Sequence, residues 1–389
     1  MKKKLLIVLC VVLTMSLVLA ACGGGGGGGG GGQTATDIVG INIQPLVDEG
    51  DGAVQPLDTS PGPGGDAPVG VEALLGLISD ETADEIRAAG YTAAVSLHTT
   101  MLDWSILQEE GIRACLKEFN IECLVVTDAE LSVDKQISDL ESIIAMNPDL
   151  VISFVLDNDA LAPVLRKVSE AGIKLSLIDS VPTGFVHPDD YAGMGTADNY
   201  ANSGSATEKL CEYLDYKGKV VCLDYATSMF HTDLRSKAAR DVFGKYDGIE
   251  IVTEQKLVGA EDGAAAMESI LIANPDIDGI WTCYDALAMG ATSAVDSMGS
   301  HARVVSIDLG EEIAYNIASG GTVLATGAQH PYDQGVAEAL IGVAALAGIP
   351  TPAYVLVPGE LVTRETMEAS WVRVFKTPPP QKILDALKK

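Results

Sequence analysis

Nine short runs rich in branched apolar residues, 91–98, 121–128, 149–156, 174–179, 219–226, 249–256, 279–284, 303–308 and 322–329, alternate along the chain with stretches of helical period. In 131–146, Leu131, Ile137, Leu140 and Ile144 fall on one helical face. Strands that alternate with helices of this length imply βαβ units and therefore parallel sheets. The runs are almost continuously apolar, as in Leu124-Val125-Val126 and Val151-Ile152-Ser153-Phe154, which calls for helices on both faces of each sheet.

Two stretches repeat one another. Glu141-Ser142-Ile143, Asn147-Pro148-Asp149, a strand and Asp159-Ala160-Leu161-Ala162 recur as Glu268-Ser269-Ile270, Asn274-Pro275-Asp276, a strand and Asp285-Ala286-Leu287-Ala288. The expected architecture is α/β: two similar doubly wound lobes, for which a chain of 389 residues is long enough. Ligands of open parallel sheets sit beyond the carboxyl ends of the strands, so two facing lobes would share one cleft.

The charge disfavours two classes of partner. Lys+Arg total 25 against 54 Asp+Glu, a formal net charge of -29, and such a surface repels nucleic acid and anionic membranes. Cys115, Cys123, Cys211, Cys222 and Cys283 are odd in number and lack motif spacing, so they read as small core residues rather than a disulfide framework. The N-terminus has the parts of an export signal: Lys2 to Lys4, an apolar run from Leu5 to Leu19, and Leu19-Ala20-Ala21-Cys22. It resembles a bacterial lipoprotein signal, which implies that Cys22 carries the lipid and becomes the mature N-terminus; two acyl chains suffice for stable anchoring. The glycine run 23–32 and the Pro/Gly-rich stretch up to 70 cannot bury a core and read as a tether.

Residues just past the strand ends are His98 to Trp104, Asp157 to Asp159, Asp179, Tyr284 with Asp285, Asp308, and Gln329 with His330. Carboxylates and amides bond hydroxyls in pairs and an indole covers the apolar face of a sugar ring, so this set suits a neutral polyhydroxylated ligand. Asp159 and Asp285 also read as helix N-caps, Trp104 as a staple of the first helix, and Trp281 as core. No Gly-x-Ser-x-Gly, Cys-x-x-Cys or His-Glu-x-x-His occurs, and His98, His187, His231, His301 and His330 are scattered. No catalytic residue, metal or cofactor is expected.

The order of these short motifs resembles the type I periplasmic sugar-binding proteins that feed ABC importers. The resemblance covers about 91–370 and rests on Asp103-Trp104-Ser105 with Gly111, Ile178-Asp179-Ser180, Thr196-Ala197-Asp198-Asn199, Arg235 at the head of Arg235-Ser236-Lys237-Ala238-Ala239, Tyr284-Asp285, Val305-Ser306-Ile307-Asp308 and Ala328-Gln329-His330-Pro331. It implies a three-crossover hinge and the ligand residues Trp104, Asp179, Arg235, Tyr284, Asp308 and Gln329. Leu102, Ser180 and Tyr284 stand where the ribose binder has other polar groups, and Trp104 stands for its paired phenylalanines, which points away from ribose itself.

The expected organisation is a signal peptide 1–21, a tether 22–70, an N-terminal lobe of 71–197 with 330–356, a C-terminal lobe of 198–329 with 357–375, and a C-terminal extension 376–389. The expected protein is a monomeric, lipid-anchored extracytoplasmic receptor that delivers a small neutral sugar or polyol to a membrane permease and ATPase. Sensing of a sugar or autoinducer-2, and carbohydrate processing at the cell surface, are the alternative functions. Cys22→Ala should release the protein into the medium or leave it unprocessed; a variant still cleaved and firmly membrane-bound on fractionation would show that the anchor lies elsewhere.

Overall fold

The expected alternation is realised as two separate sheets. A computed structural model describes residues 58–257 and 262–389; the signal segment, Cys22 and the glycine run lie outside the described residues. Its strands are β1 (Val69–Gly70), β2 (Thr92–Leu97), β3 (Glu122–Asp128), β4 (Leu150–Phe154), β5 (Lys174–Ile178), β6 (Gly193–Ala197), β7 (Gly218–Tyr225), β8 (Ile249–Leu257), β9 (Gly279–Thr282), β10 (Arg303–Ile307), β11 (Val323–Ala328), β12 (Tyr354–Val357) and β13 (Glu360–Val362). The helices are α1 (Asp80–Ala89), α2 (Asp103–Glu118), α3 (Val133–Met146), α4 (Ala162–Glu170), α5 (Asn199–Tyr213), α6 (Phe230–Phe243), α7 (Asp262–Ala273), α8 (Asp285–Met298), α9 (Glu311–Ala318), α10 (Pro331–Leu346), α11 (Met367–Phe375) and α12 (Gln381–Leu387).

One sheet has the order β1-β12-β6-β5-β4-β2-β3 and is parallel throughout. The other runs β13-β11-β10-β9-β7-β8 and is parallel except for β13. Apolar cores cover the first sheet on both faces: Val95 and Ile152 pack with α2 and α10, while their neighbours Ala94 and Val151 pack with α3 and α4. Trp281 is fully buried in the second core, as its mid-strand position suggested, and its indole N–H donates to Ser203 Oγ at 3.2 Å.

All nine strand runs read from the sequence are present, with ends shifted by no more than two residues. β1, β6, β12 and β13 were not anticipated. In β6 the reason is visible: a Cβ on Gly195 would come 2.6 Å from Glu338 of α10, so the strand carries glycine instead of branched apolar residues where a helix lies against it. β11 does the same in the second lobe, where a Cβ on Gly327 would meet the Asn202 carbonyl of α5 at 2.3 Å. Helix α3 starts two residues later than its apolar pattern, because Glu130 and Leu131 have positive φ and Ser132 Oγ caps by accepting from Lys135 N–H at 3.3 Å.

The duplication is real but shifted in register. Asp149 Oδ2 accepts from Thr92 N–H at 2.8 Å and ties β4 to β2; the residue that ties β9 to β7 through Lys219 N–H, also at 2.8 Å, is Asp278 rather than Asp276 of the matching tripeptide. Asp285 is the first residue of α8, whereas α4 begins only at Ala162, so the two Asp-Ala-Leu-Ala stretches are not equivalent in space. Neither aspartate is an N-cap: Leu161 and Tyr284 hold those positions, and Asp159 accepts instead from the Thr183 hydroxyl at 2.6 Å.

The chain passes between the sheets three times, from β6 into α5, from β11 into α10 and from β12 into β13. Helix α12, within the stretch expected to be an extension, buries Ile383 and Ala386 in the second core. The expected tether also ends earlier than residue 70. Val69–Gly70 extends the first sheet beside β12, Gly62 packs on the ring of Tyr354, and Asp58 N–H donates to Asp198 Oδ2 at 2.7 Å. Asp198 lies at the first crossover, where its other oxygen caps α5 through Ala201 N–H at 2.9 Å. A chain beginning at Val71 should therefore melt several degrees below one beginning at Asp58, read by circular dichroism. Equal melting would return 58–70 to the tether.

Candidate functional site

Strand ends from both sheets face a cavity of about 750 Å³, and Trp104, Asp179, Arg235, Tyr284, Asp308 and Gln329 all line it. Asp179 and Asp308 follow β5 and β10 directly and hold matching backbone conformations, with φ of 62° and 75°. Each N–H is used by the adjoining strand, Asp179 donating to Gly195 O and Asp308 to Gly327 O, both at 3.0 Å. The chain then turns in the left-handed region, which aspartate tolerates better than most residues.

Arg235, 4% exposed, is fixed from three directions. Its Nε donates to Asn199 Oδ1 at 2.8 Å, and Nη1 donates to Cys283 O at 3.0 Å and to Asp308 Oδ2 at 3.3 Å. Asn199 opens α5 just past the first crossover and donates to Thr196 Oγ1 at 3.2 Å; Thr196 Oγ1 in turn donates to Asp179 Oδ1 at 2.5 Å. On the other side, Gln329 Nε2 donates to Asp308 Oδ1, while Gln329 Oε1 accepts from Trp104 Nε1 at 3.4 Å and Gln334 Nε2 at 3.1 Å. One polar chain thus runs from Asp179 through two hinge crossings to Trp104.

Burial sets the titration of these groups. Asp179, 5% exposed, is pushed up to about 6 by loss of water, against the lowering effect of the Thr196 bond and Arg235. Asp285 is held well above the usual carboxylate range by desolvation first and by Asp308 second.

The sequence reading missed the second half of the aromatic wall. Trp104 meets Phe154 edge to face, centroids 6.2 Å apart at 83°, and His98 stacks on Phe154 at 4.1 Å. His231 of α6 approaches Phe154 at 6.1 Å, and Tyr225 and Tyr284 form a second perpendicular pair at 6.0 Å. Phe154 and Tyr225 each end a strand, but the runs read from the sequence extend to 156 and 226 and so place both inside the strand rather than just past its end. His231 carries no strand-end signal. Burial pushes His98 down to about 4 and His231 well below its ordinary value, so both rings are neutral near pH 7. His330 stays outside this wall, between Asp333 at 3.6 Å and Glu360 at 3.4 Å. Trp104 also packs against the first core, so the staple and cleft roles coexist.

The model of a family described as a periplasmic binding protein domain matches residues 93–350. This chain belongs to the type I periplasmic sugar-binding protein family. It is similar to the D-apiose import binding protein of Actinobacillus succinogenes, 30% identical over 189 residues that cover 47% of this chain and 59% of that protein. The chain therefore spans less than two thirds of that relative. It is also similar to the xylitol-binding protein of Mycolicibacterium smegmatis, 27% identical across 62% of this chain and 70% of that one. An ABC transporter solute binding protein from Agrobacterium vitis, bound with alpha-D-tagatopyranose, shares the fold of this family member with a TM-score of 0.68, 20% identity, and coverage of 75% of this chain and 99% of that one.

The raised Asp179 carboxyl predicts a stability change. Unfolded, it titrates near its ordinary 3.8; folded, near 6, so the folded chain binds the proton more tightly and stability falls as pH rises between about 4 and 6. Asp179→Asn keeps an acceptor for Thr196 and tolerates positive φ. The ligand-free variant should melt above the parent at pH 7.5, by at most ~3 kcal/mol, with the gain vanishing as the pH falls toward 4. A pH-independent difference in melting would refute this origin.

Proposed function

We propose that the chain is an extracytoplasmic solute-binding lipoprotein of an ABC importer, which closes its two lobes around a sugar or polyol and presents the closed form to a permease and its ATPase. The observation that carries this reading is the junction of Arg235, Asp308 and Gln329, which fixes a cation, a carboxylate and an amide in the lining of one cavity and reaches the other lobe through the Trp104 N–H on Gln329 Oε1. A guanidinium has five N–H donors and these bonds leave some of them open, while Asp179 and Asp308 supply acceptors from opposite lobes. Paired donors and acceptors of this kind are what a polyhydroxylated ring requires, and the indole of Trp104 covers its apolar face.

Three chain crossings allow hinge closure without unfolding either core, and the ligand supplies the differential contacts between open and closed states. The D-apiose and xylitol named for the two relatives, and the tagatopyranose of the solved structure, support a sugar or polyol as the ligand class. The export signal and Cys22 support the extracytoplasmic, anchored location. Residues 71–197 with 330–356 and 198–329 with 357–375 are the proposed lobes, with 58–70 joined to the first and α12 to the second.

A thermal-shift screen over monosaccharides and polyols tests the reading, since a ligand at 100 times its dissociation constant stabilises by ~2.7 kcal/mol. With a hit in hand, Arg235→Ala should weaken binding by roughly one to two powers of ten in calorimetry, the worth of a bond to a charged group. Affinity within about twofold of the parent would remove Arg235 from the site.

A further inference from the structure

Three polar side chains lie fully buried where α2 packs on α10, behind the wall of the cavity: Gln108, Gln334 and Glu338. Their surroundings are apolar, with Ile112, Leu116, Val336 and Leu340 in the core of the same helix pair. A helix contact needs no such groups for stability, because apolar residues of like volume fill it at no polar cost. The cost here is visible, since Glu338 Oε2 and Gln108 Oε1 find no hydrogen-bond partner among the described residues. Burial first and Asp179 second hold the Glu338 carboxyl well above the ordinary range, which favours its uncharged form.

The three are bonded in a line that ends at the cavity. Gln108 Nε2 donates to Glu338 Oε1 at 3.2 Å and to Gln334 Oε1 at 3.5 Å, and Gln334 Nε2 donates to Gln329 Oε1 at 3.1 Å. Gln329 Oε1 also accepts the Trp104 indole N–H, so both of its lone pairs are used, while Nε2 holds Asp308 with one of its two N–H groups. Trp104 and Gln108 are four residues apart on α2, and Gln334 and Glu338 are four apart on α10, so each pair shares one helix face.

A second feature, independent of these bonds, references the line to the first sheet. The backbone carbonyl of Glu338 accepts from Ser176 Oγ of β5 at 2.7 Å, and its side chain lies in the space left by Gly195 of β6. The two helix backbones also approach closely: a Cβ on Gly111 of α2 would come 2.0 Å from the Tyr332 carbonyl oxygen, and one on Gly335 of α10 would come 2.2 Å from that of Gln108. Apolar packing is non-directional and tolerates rotation of one helix against another, whereas hydrogen bonds between fixed side chains select one rotation.

We propose that Gln108, Gln334 and Glu338 are positioning residues of the cavity: anchored on the first sheet, they fix the rotation of α2 against α10 and so hold the Trp104 indole against Gln329. The use of that wall by a sugar or polyol rests on the receptor reading above; the relay behind it is tested without a ligand.

Trp104, Trp281 and Trp371 each give one indole N–H signal in nuclear magnetic resonance of the isotope-labelled full mature chain, assigned by Trp104→Phe, Trp281→Phe and Trp371→Phe. Gln108→Met combined with Glu338→Met removes both partners of one bond, which costs little stability. Solvent exchange of the Trp104 N–H should then rise about tenfold or more, while Trp281 and Trp371 stay within about twofold and melting stays near the parent's. Glu338→Gln keeps an acceptor for Gln108 and should hold Trp104 near its parent rate; a chain with this change as loose at Trp104 as the double variant would overturn the part given to the bond. If the double variant folds poorly, Gln334→Met decides instead, since it cuts the line to Gln329 and leaves the Gln108–Glu338 bond in place; it should raise the Trp104 rate by a similar factor. An unchanged Trp104 rate in a folded variant would overturn the relay, and so would a rise shared equally by Trp281 and Trp371, which marks general loosening. Either result leaves the receptor reading standing, because that reading fails only if the thermal-shift screen finds no sugar or polyol.

Discussion

A guanidinium buried to 4% exposure is the constraint around which the cleft is arranged. An unpaired charge at that depth costs several kcal/mol, so Arg235 must find acceptors, and it finds them on three different elements: Asn199 at the start of α5, the Cys283 carbonyl at the end of β9, and Asp308 after β10. Those bonds fix the orientation of Asp308, which in turn holds Gln329 and, through it, the indole of Trp104 in the other lobe. Removing the arginine would leave Asp308 uncompensated beside Asp285, two carboxyls with no cation between them.

The crossings of the hinge are organised by a second set of buried charges. His330 in the second crossover sits between Asp333 of α10 and Glu360 of β13; Lys376 Nζ donates to Asp333 Oδ2 at 2.6 Å and Arg373 Nε to Glu360 Oε1 at 3.0 Å. Arg373 belongs to α11 of the second sheet's side, Lys376 follows it, and α10 packs on the first sheet, so the set joins elements of both lobes at the place where the chain passes between them. Buried ion pairs add little net stability compared with apolar packing, but they penalise any arrangement that separates the partners. Of these, the Lys376–Asp333 pair spans the two lobes, so an arrangement that separates α10 from the end of α11 loses it.

The aspartates at positive φ show how the duplicated lobes build a site that neither has alone. In each lobe a parallel strand ends, donates its last N–H to a glycine carbonyl of the next strand, and turns with an aspartate facing the gap. The glycine is needed because a helix lies against that strand, α10 on β6 and α5 on β11. What differs between the halves is the partner: Thr196 bonds the side chain of Asp179, whereas Thr326 Oγ1 donates to the backbone carbonyl of Asp308 at 2.6 Å and leaves that carboxylate to Arg235 and Gln329.

Apolar period and strand-end chemistry are local properties, and for that reason the sequence by itself determined the βαβ architecture, the nine main strands and the polar residues Asp179, Tyr284, Asp308 and Gln329 that follow them. Strands such as β6 stayed hidden because glycine there answers to the helix packed on it, a neighbour more than a hundred residues away in the chain. Only the tertiary structure decided that Phe154 and His231 share a wall with Trp104, that Asp285 faces Asp308 rather than capping a helix, and that 58–70 docks on the first lobe and the hinge. Each of these depends on distance across the cleft or on the close approach of remote backbone, and neither quantity is carried by the order of residues along one strand or helix.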